Sequence, residues 1–127
     1  MEMTVTVIIP TFNRAAILEE CLMALERQVD SGVAFDVIVV DDGSTDGTTA
    51  RVQRVQQRSS LRLGLLRQEN RGPATARNAG VEAARSDLIL FLGDDIIVEP
   101  GHLAHICAAY RTRTWQPRGI LGHVRYR

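Results

Sequence analysis

This sequence contains only two cysteines, Cys21 and Cys107, and each lies at an apolar position of a helical pattern. So few cysteines exclude a disulfide framework, and their separation argues against a cysteine-bound metal. We interpret both as reduced residues of a protein core, which is typical of cytoplasmic proteins.

The chain also lacks an excess of either charge, since 15 basic residues balance 15 acidic ones. Without a basic surplus we expect no nucleic-acid partner, and without an acidic tail we expect no disordered acidic segment. Arginine carries the basic charge, and its guanidinium group suits the recognition of phosphate or carboxylate without establishing it.

Long hydrophobic runs are absent as well. No apolar run is long enough to cross a bilayer, and Met1-Glu2-Met3 lacks the charged start and apolar core of a signal peptide. We therefore predict no membrane segment and a cytoplasmic location. A length of 127 residues with 45% hydrophobic residues fits a single domain with a core of its own.

Strand and helix patterns alternate along the whole chain. Apolar, β-branched runs predict strands at 4–9, 35–40, 61–66, 88–92 and 120–124. The three- to four-residue spacing of apolar residues predicts helices at 15–28, 48–58 and 103–110, and the pair Gly72-Pro73 indicates the start of a further helix at 73–84. The alternation predicts an α/β fold, a mostly parallel sheet with helices on both faces.

Several local features sharpen this prediction. Asn13 is a candidate N-cap of the first helix, and Gly64 marks an edge or a bulge of the third strand. Gly80 and its neighbouring alanines allow the third helix to pack closely on the sheet. The continuous apolar run 88–92 predicts a central strand that is buried on both faces.

Polar residues follow three of these strands: Asn13 after the first, Asp41-Asp42 after the second, and Asp94-Asp95 after the fourth. Open α/β sheets bind their ligands at the carboxyl ends of the strands. The glycine-rich segment 43–48 is expected to offer free amides and hydroxyls there. Taken alone, however, two acids after a strand more often form a turn or a helix cap than a metal site.

Four segments, at 7–14, 39–48, 76–80 and 91–95, resemble in order the successive signatures of family 2 glycosyltransferases. The resemblance extends from residue 5 to about residue 124. It implies the GT-A fold, a Rossmann-like nucleotide-binding half, and a nucleotide-diphosphate sugar as the ligand.

The resemblance also implies roles for individual residues. The loop that packs around the nucleobase would be Pro10, Thr11, Phe12 and Arg14. Asp42 would accept a hydrogen bond from the imide N–H of uracil, so a UDP-linked sugar is favoured. Asp41 is expected to steady the following turn.

The segment Gly93-Asp94-Asp95 resembles the family's Asp-X-Asp element, although glycine replaces the first acid. The resemblance implies Asp95 as the ligand of Mg²⁺ or Mn²⁺ and Asp94 as a contact of the ribose or of the waters on the metal. Arg77 either reaches the diphosphate or sugar or is a surface charge of its helix. His102 and His105 are interpreted as solvated helix residues, and Trp115 as a packing residue.

No catalytic residue is assigned, because the family's general base and acceptor pocket come from sequence after the Asp-X-Asp element. We therefore expect a truncated, donor-binding portion of a glycosyltransferase. The alternative is a non-catalytic or partner-dependent nucleotide-sugar-binding module, and an uncovered sheet edge would favour a homo-oligomer. A nucleotidyltransferase is less favoured, because no glycine-rich loop with a basic residue follows the first strand.

Overall fold

The structure, a computed structural model, describes residues 3–111. Its strands are β1 (Thr4–Thr11), β2 (Ala34–Asp41), β3 (Leu63–Arg67) and β4 (Leu88–Phe91). Its helices are α1 (Ala15–Glu26), α2 (Thr48–Arg58), α3 (Pro73–Ala83) and α4 (His102–Arg111). The strands pair in parallel in the order β3-β2-β1-β4, so the predicted α/β class is confirmed.

Helices cover both faces of this sheet, because successive side chains of a strand point to opposite sides. Val5, Val7 and Ile9 of β1 belong to one buried cluster, which also contains residues of α1, α2 and α4. Ile8 points the other way and packs in a second cluster with Ala76 of α3. The hydrophobic effect therefore holds the sheet between two helical layers.

Close packing of α3 depends on Gly80. A Cβ atom at this position would lie 2.5 Å from Cγ2 of Ile8, a distance that real Cβ contacts essentially never show. The predicted close approach of this helix to the sheet is therefore confirmed, and it requires the absence of a side chain at Gly80.

Two predictions about strands have different outcomes. The prediction that the run 88–92 is buried on both faces is wrong for the described residues: β4 pairs only with β1, and Phe91 is 50% exposed. An apolar run indicates that a segment favours a strand, whereas the position of that strand in the sheet depends on the strand order. Among the strands that the structure describes, β3 lies at an edge of the sheet and contains Gly64, and it begins at Leu63 and not at Leu61.

The prediction of Asn13 as an N-cap is also wrong. Arg14 occupies the cap position, and Asn13 has a left-handed backbone with φ of 52°. The N–H of Ala15 in the first turn of α1 donates instead to Oδ2 of Asp46, at 3.2 Å. A carboxylate from another loop thus takes the cap's role, which stabilises the positive end of the helix.

Helix α1 ends at Glu26, two residues before the predicted end, and Gln28 beyond it is buried. Its Nε2 donates to the carbonyl of Glu99 at 2.9 Å, and its Oε1 accepts from the N–H of Leu103 at 3.0 Å. This amide therefore fastens the first turn of α4 to the end of α1.

Both cysteines are buried and free, as predicted. Within residues 3–111, no helix combines the length and the apolar character that crossing a bilayer requires. The predicted strand at 120–124 and Trp115 lie outside the described residues.

Candidate functional site

The candidate site lies where the loops after β1, β2 and β4 meet at the carboxyl edge of the sheet. The N–H of Asp42 donates to the carbonyl of Thr11 at 2.9 Å, which joins the end of β1 to the loop after β2. The buried hydroxyl of Thr11 donates to Oδ2 of Asp94, also at 2.9 Å, which joins the end of β1 to the loop after β4. Residues that are 83 positions apart in the chain are thereby brought into one site.

Asp41 is fully buried and organises the loop that follows it. Its Oδ1 accepts from the N–H of Ser44 at 2.9 Å, so its predicted role in steadying the turn is confirmed. Its Oδ2 accepts from the hydroxyl of Thr49 at 3.0 Å and from the guanidinium of Arg67 at 3.4 Å. The hydrogen bonds and the arginine offset the cost of burying this carboxylate.

Asp42 is 6% exposed and binds the segment that leads into α3. Its Oδ1 accepts from Nε2 of Gln68 at 2.8 Å and from the N–H of Arg71 at 2.7 Å, and its Oδ2 accepts from the N–H of Gly72 at 3.0 Å. The bond from Gln68, together with the two backbone donors, holds the pKa of Asp42 below its ordinary value.

Gln68 also lines a pocket of about 500 Å³, together with Gly43, Arg67, Glu69 and Asn70. Gly43 permits this arrangement in two ways. Its φ of 86° is left-handed, and a Cβ there would lie 3.1 Å from the N atom of Asn70. The backbone of segment 68–70 can therefore approach the loop after β2 closely.

The segment 43–48 differs from its prediction, because many of its polar groups are already used within the protein. The Asn13 N–H donates to Oγ of Ser44, and Oδ1 of Asn13 accepts from the N–H of Thr45, both at 2.8 Å. Asp46 accepts from the N–H and the hydroxyl of Thr48, and the bond from Thr48 is the main cause that lowers the pKa of Asp46. These bonds connect the loops after β1 and β2, so they fix the relative positions of the two loops at the site.

Asp94 and Asp95 differ in exposure and in partners. The Asp94 side chain is 11% exposed, and besides Thr11 it contacts Arg14, whose Nη1 lies 3.3 Å from its Oδ1. The Asp95 side chain is 59% exposed, and its Oδ2 lies 3.8 Å from the same Arg14 atom. One guanidinium thus lies against both carboxylates.

Gly93 leaves room for Asp95. A Cβ at position 93 would lie 3.0 Å from Oδ1 of Asp95, closer than ordinary van der Waals contact. Beneath this turn, the Cys21 thiol lies 3.8 Å from the carbonyl of Gly93. Burial, and to a lesser extent the charges of Asp94 and Asp95, raise the pKa of Cys21 to about 12, so the thiol stays protonated.

The donor set around Asp95 fits a divalent cation that is bound mainly through a substrate. Within residues 3–111, no group of three or more His, Cys, Asp or Glu side chains is placed to hold a metal. Asp94 is occupied by Thr11 and Arg14, which leaves Asp95 as the exposed carboxylate. A single hard oxygen ligand completed by phosphate oxygens and waters is a usual arrangement for Mg²⁺.

The remaining predicted residues occupy varied positions. Phe12 is 41% exposed, and Pro10 and Thr11 lie within β1 and not in the loop after it. Arg77 is exposed on α3. His102 is half-buried, which lowers its pKa, and His105 is exposed, so the histidine pair is only partly solvated.

The sequence interpretation missed Arg67 and Gln68, which bind Asp41 and Asp42 respectively. Arg67 also donates to the hydroxyl of Thr49 at 2.7 Å and to the carbonyl of Ser44 at 2.8 Å. Their position in the sequence could have identified them, because Arg67 ends β3 and Gln68 follows it, at the same edge of the sheet as the acids.

The sequence profile described as glycosyl transferase family 2 matches residues 6–114, most of the chain. This chain belongs to glycosyl transferase family 2. The parallel sheet and its helices are accordingly those of the GT-A-like glycosyltransferases, as the signatures implied.

Among curated members of the family, validoxylamine A glucosyltransferase of Streptomyces hygroscopicus subsp. jinggangensis is 39% identical over 107 residues. The match covers 83% of this chain and 25% of that protein, so the chain spans about a quarter of this relative's length.

Two solved structures are similar. Staphylococcus aureus TarS in complex with UDP-GlcNAc superposes with a TM-score of 0.77 at 31% identity, over 86% of this chain and 31% of that one. The mannosyltransferase PcManGT of Pyrobaculum calidifontis, in complex with GDP-Man and Mn²⁺, gives 0.77 at 29% identity, over 90% and 34%. One of these two similar structures thus contains a uridine-linked sugar and the other a guanosine-linked sugar.

Proposed function

We propose that this chain forms the donor-binding part of a glycosyltransferase that uses a UDP-linked sugar and a divalent cation, Mg²⁺ or Mn²⁺. The observation that carries the proposal is the bonded junction of the three loops at Thr11, Asp42 and Asp94. It joins the base-binding and metal-binding segments that the family signatures imply. The similarity to TarS, whose complex contains UDP-GlcNAc, and to PcManGT, whose complex contains GDP-Man and Mn²⁺, supports a nucleotide sugar and a divalent cation as ligands.

The partners of Asp42 favour uracil over guanine. Each carboxylate oxygen offers about two acceptor positions. Oδ1 already accepts two hydrogen bonds and Oδ2 accepts one, which leaves one position on Oδ2. The imide of uracil presents one N–H and matches that position, whereas the edge of guanine presents two adjacent donors and needs both oxygens.

The charges at the other end of the site suit a diphosphate. Asp95 is the exposed carboxylate that would hold the cation. Its neighbour Asp94 is held in place by the hydrogen bond from Thr11. When bound, the cation would offset the charge that develops on the departing nucleoside diphosphate. Arg14 and Arg77 are the cations of this chain that we assign to the anionic donor.

Transfer to an acceptor hydroxyl requires a general base, and we assign none to the residues of this chain. The proposed activity is therefore donor binding by this chain and sugar transfer by the whole protein. The alternative, a module that binds a nucleotide sugar without transferring it, has the same donor site and differs only in turnover.

Calorimetric titration with UDP, with and without Mn²⁺, tests the proposal directly. We expect UDP to bind in the presence of Mn²⁺ and to bind at least about tenfold more weakly without it, since one carboxylate and the diphosphate share the cation. Asp95→Asn should remove the effect of Mn²⁺. Asp30→Asn, which changes the same charge at an exposed residue on a distant turn, is the matched control.

The choice of base is tested by GDP under the same conditions, and dTDP, whose thymine carries the same imide N–H as uracil, serves as a second pyrimidine nucleotide. Weaker binding of GDP than of UDP would support the argument from Asp42, and equal or tighter binding of GDP would contradict it. Failure of all three nucleotides to bind, with and without Mn²⁺, would contradict the proposed function. Transfer of the sugar from the nucleotide to an acceptor in a mixture of candidates, catalysed by the whole protein, would distinguish the enzyme from the binding module.

A further inference from the structure

We propose that Arg14 is a positioning residue that occupies the acidic pair in place of the divalent cation and thereby makes metal binding depend on the nucleotide. The inference rests on the proposed function, because it assumes that the cation binds at Asp95. It goes beyond the implied role of Arg14 as a contact of the nucleobase, since it assigns this side chain to the opposite end of the site.

The geometry of the acidic pair carries this inference. The same Nη1 atom of Arg14 lies 3.3 Å from Oδ1 of Asp94 and 3.8 Å from Oδ2 of Asp95. The Asp94 carboxylate cannot turn away freely, because Thr11 binds its other oxygen at 2.9 Å. The guanidinium therefore neutralises the negative charge of the two carboxylates, and it lies where a cation bound by Asp95 would lie.

The exposure of Arg14 and Asp95 allows an exchange. Arg14 is 50% exposed and Asp95 is 59% exposed, so both can move without disrupting the core. Two positive groups at this short distance repel each other strongly enough to matter even near a protein surface. A divalent cation that binds Asp95 must therefore displace Arg14.

Displacement has a consequence for the nucleotide. A guanidinium released from a carboxylate needs another anion, and a diphosphate is a favourable partner for arginine. The nucleotide thus lowers the cost of moving Arg14, and the cation and nucleotide promote each other's binding. Such coupling between two ligands is reciprocal by thermodynamic necessity.

The test measures free Mn²⁺ by electron paramagnetic resonance as it is titrated with the protein, first without nucleotide and then with UDP. We expect Arg14→Gln to bind Mn²⁺ about tenfold more tightly than the wild type in the absence of nucleotide. The factor by which UDP tightens Mn²⁺ binding should fall correspondingly. Arg14→Lys, which keeps the charge, should remain close to the wild type.

Two further variants control the measurement. Arg54→Gln removes the same charge from an exposed position on α2 and should leave the affinity for Mn²⁺ unchanged. Adding Asp95→Asn to Arg14→Gln should abolish the gain, which places the additional binding at Asp95.

The inference is overturned if Arg14→Gln gains no affinity for Mn²⁺, if Arg54→Gln gains as much, or if the gain survives Asp95→Asn. The nucleotide arm separates this failure from failure of the proposed function. Mn²⁺-dependent binding of UDP to the wild type without a gain in Arg14→Gln overturns only the role of Arg14. Absence of Mn²⁺-dependent binding in every protein overturns both.

Discussion

The hydroxyl of Thr11 donates a 2.9 Å hydrogen bond to Oδ2 of Asp94, and both residues are buried. This bond joins the carboxyl end of a central strand to the acidic turn after β4. It fixes the orientation of Asp94, and through Arg14 it sets the charges that surround Asp95.

Thr11→Val should destabilise the protein and weaken the proposed UDP and Mn²⁺ binding together. Valine has nearly the same shape but leaves a buried carboxylate oxygen without this donor, at a cost of about 1–3 kcal/mol. Urea unfolding measures this loss. Thr45→Val, at an exposed position, is the control, and equal stability of the two variants would contradict the role of the bond.

Asp42 makes a contribution to stability that depends on pH. Its folded pKa lies below the ordinary value of 3.8, because Gln68 and two backbone N–H groups bind the ionised form. This contribution is therefore fully present well above pH 3.8 and is lost as the pH falls through the lower, folded pKa.

Asp42→Asn should accordingly be less stable than the wild type at pH 7, and the difference should shrink as the pH falls below about 4. Unfolding by urea across this range provides the measurement. Asp30→Asn, at an exposed residue, should show a much smaller difference at every pH. A difference for Asp42→Asn that stays constant down to pH 2 would show that its ionisation is not the cause.

Gly80→Ala tests the close packing of α3. Alanine favours a helix by about 1 kcal/mol, but its Cβ would lie 2.5 Å from Cγ2 of Ile8, and overpacking of this kind costs about 1–3 kcal/mol. We expect a net loss of stability in thermal or urea unfolding. Gly64→Ala, whose nearest neighbouring atom is 3.9 Å away, should be neutral. Equal or greater stability of Gly80→Ala would contradict the predicted clash.

The correct predictions of helices and strands depended on features of the segment itself. Helix α2 has the predicted bounds, Thr48–Arg58, because the spacing of Val52 and Val55 and the glycine before the helix are properties of that segment alone. Helix α3 begins at Pro73, as the Gly-Pro pair indicated. Where the prediction was wrong, as for β4 and Asn13, the outcome depended on a neighbour that is distant in the chain.

The sequence by itself determined the α/β class, the family signatures and the ends of the strands at which Asp42, Asp94 and Asp95 stand. Periodicity and chain order suffice for these features, since parallel strands deliver their carboxyl ends to one edge. Only the tertiary structure decided that Gln68 binds Asp42, that Asp46 caps α1, and that Arg14 lies against the acidic pair. These contacts depend on strand order and on side-chain direction across 26 to 80 positions of sequence, which no local pattern contains.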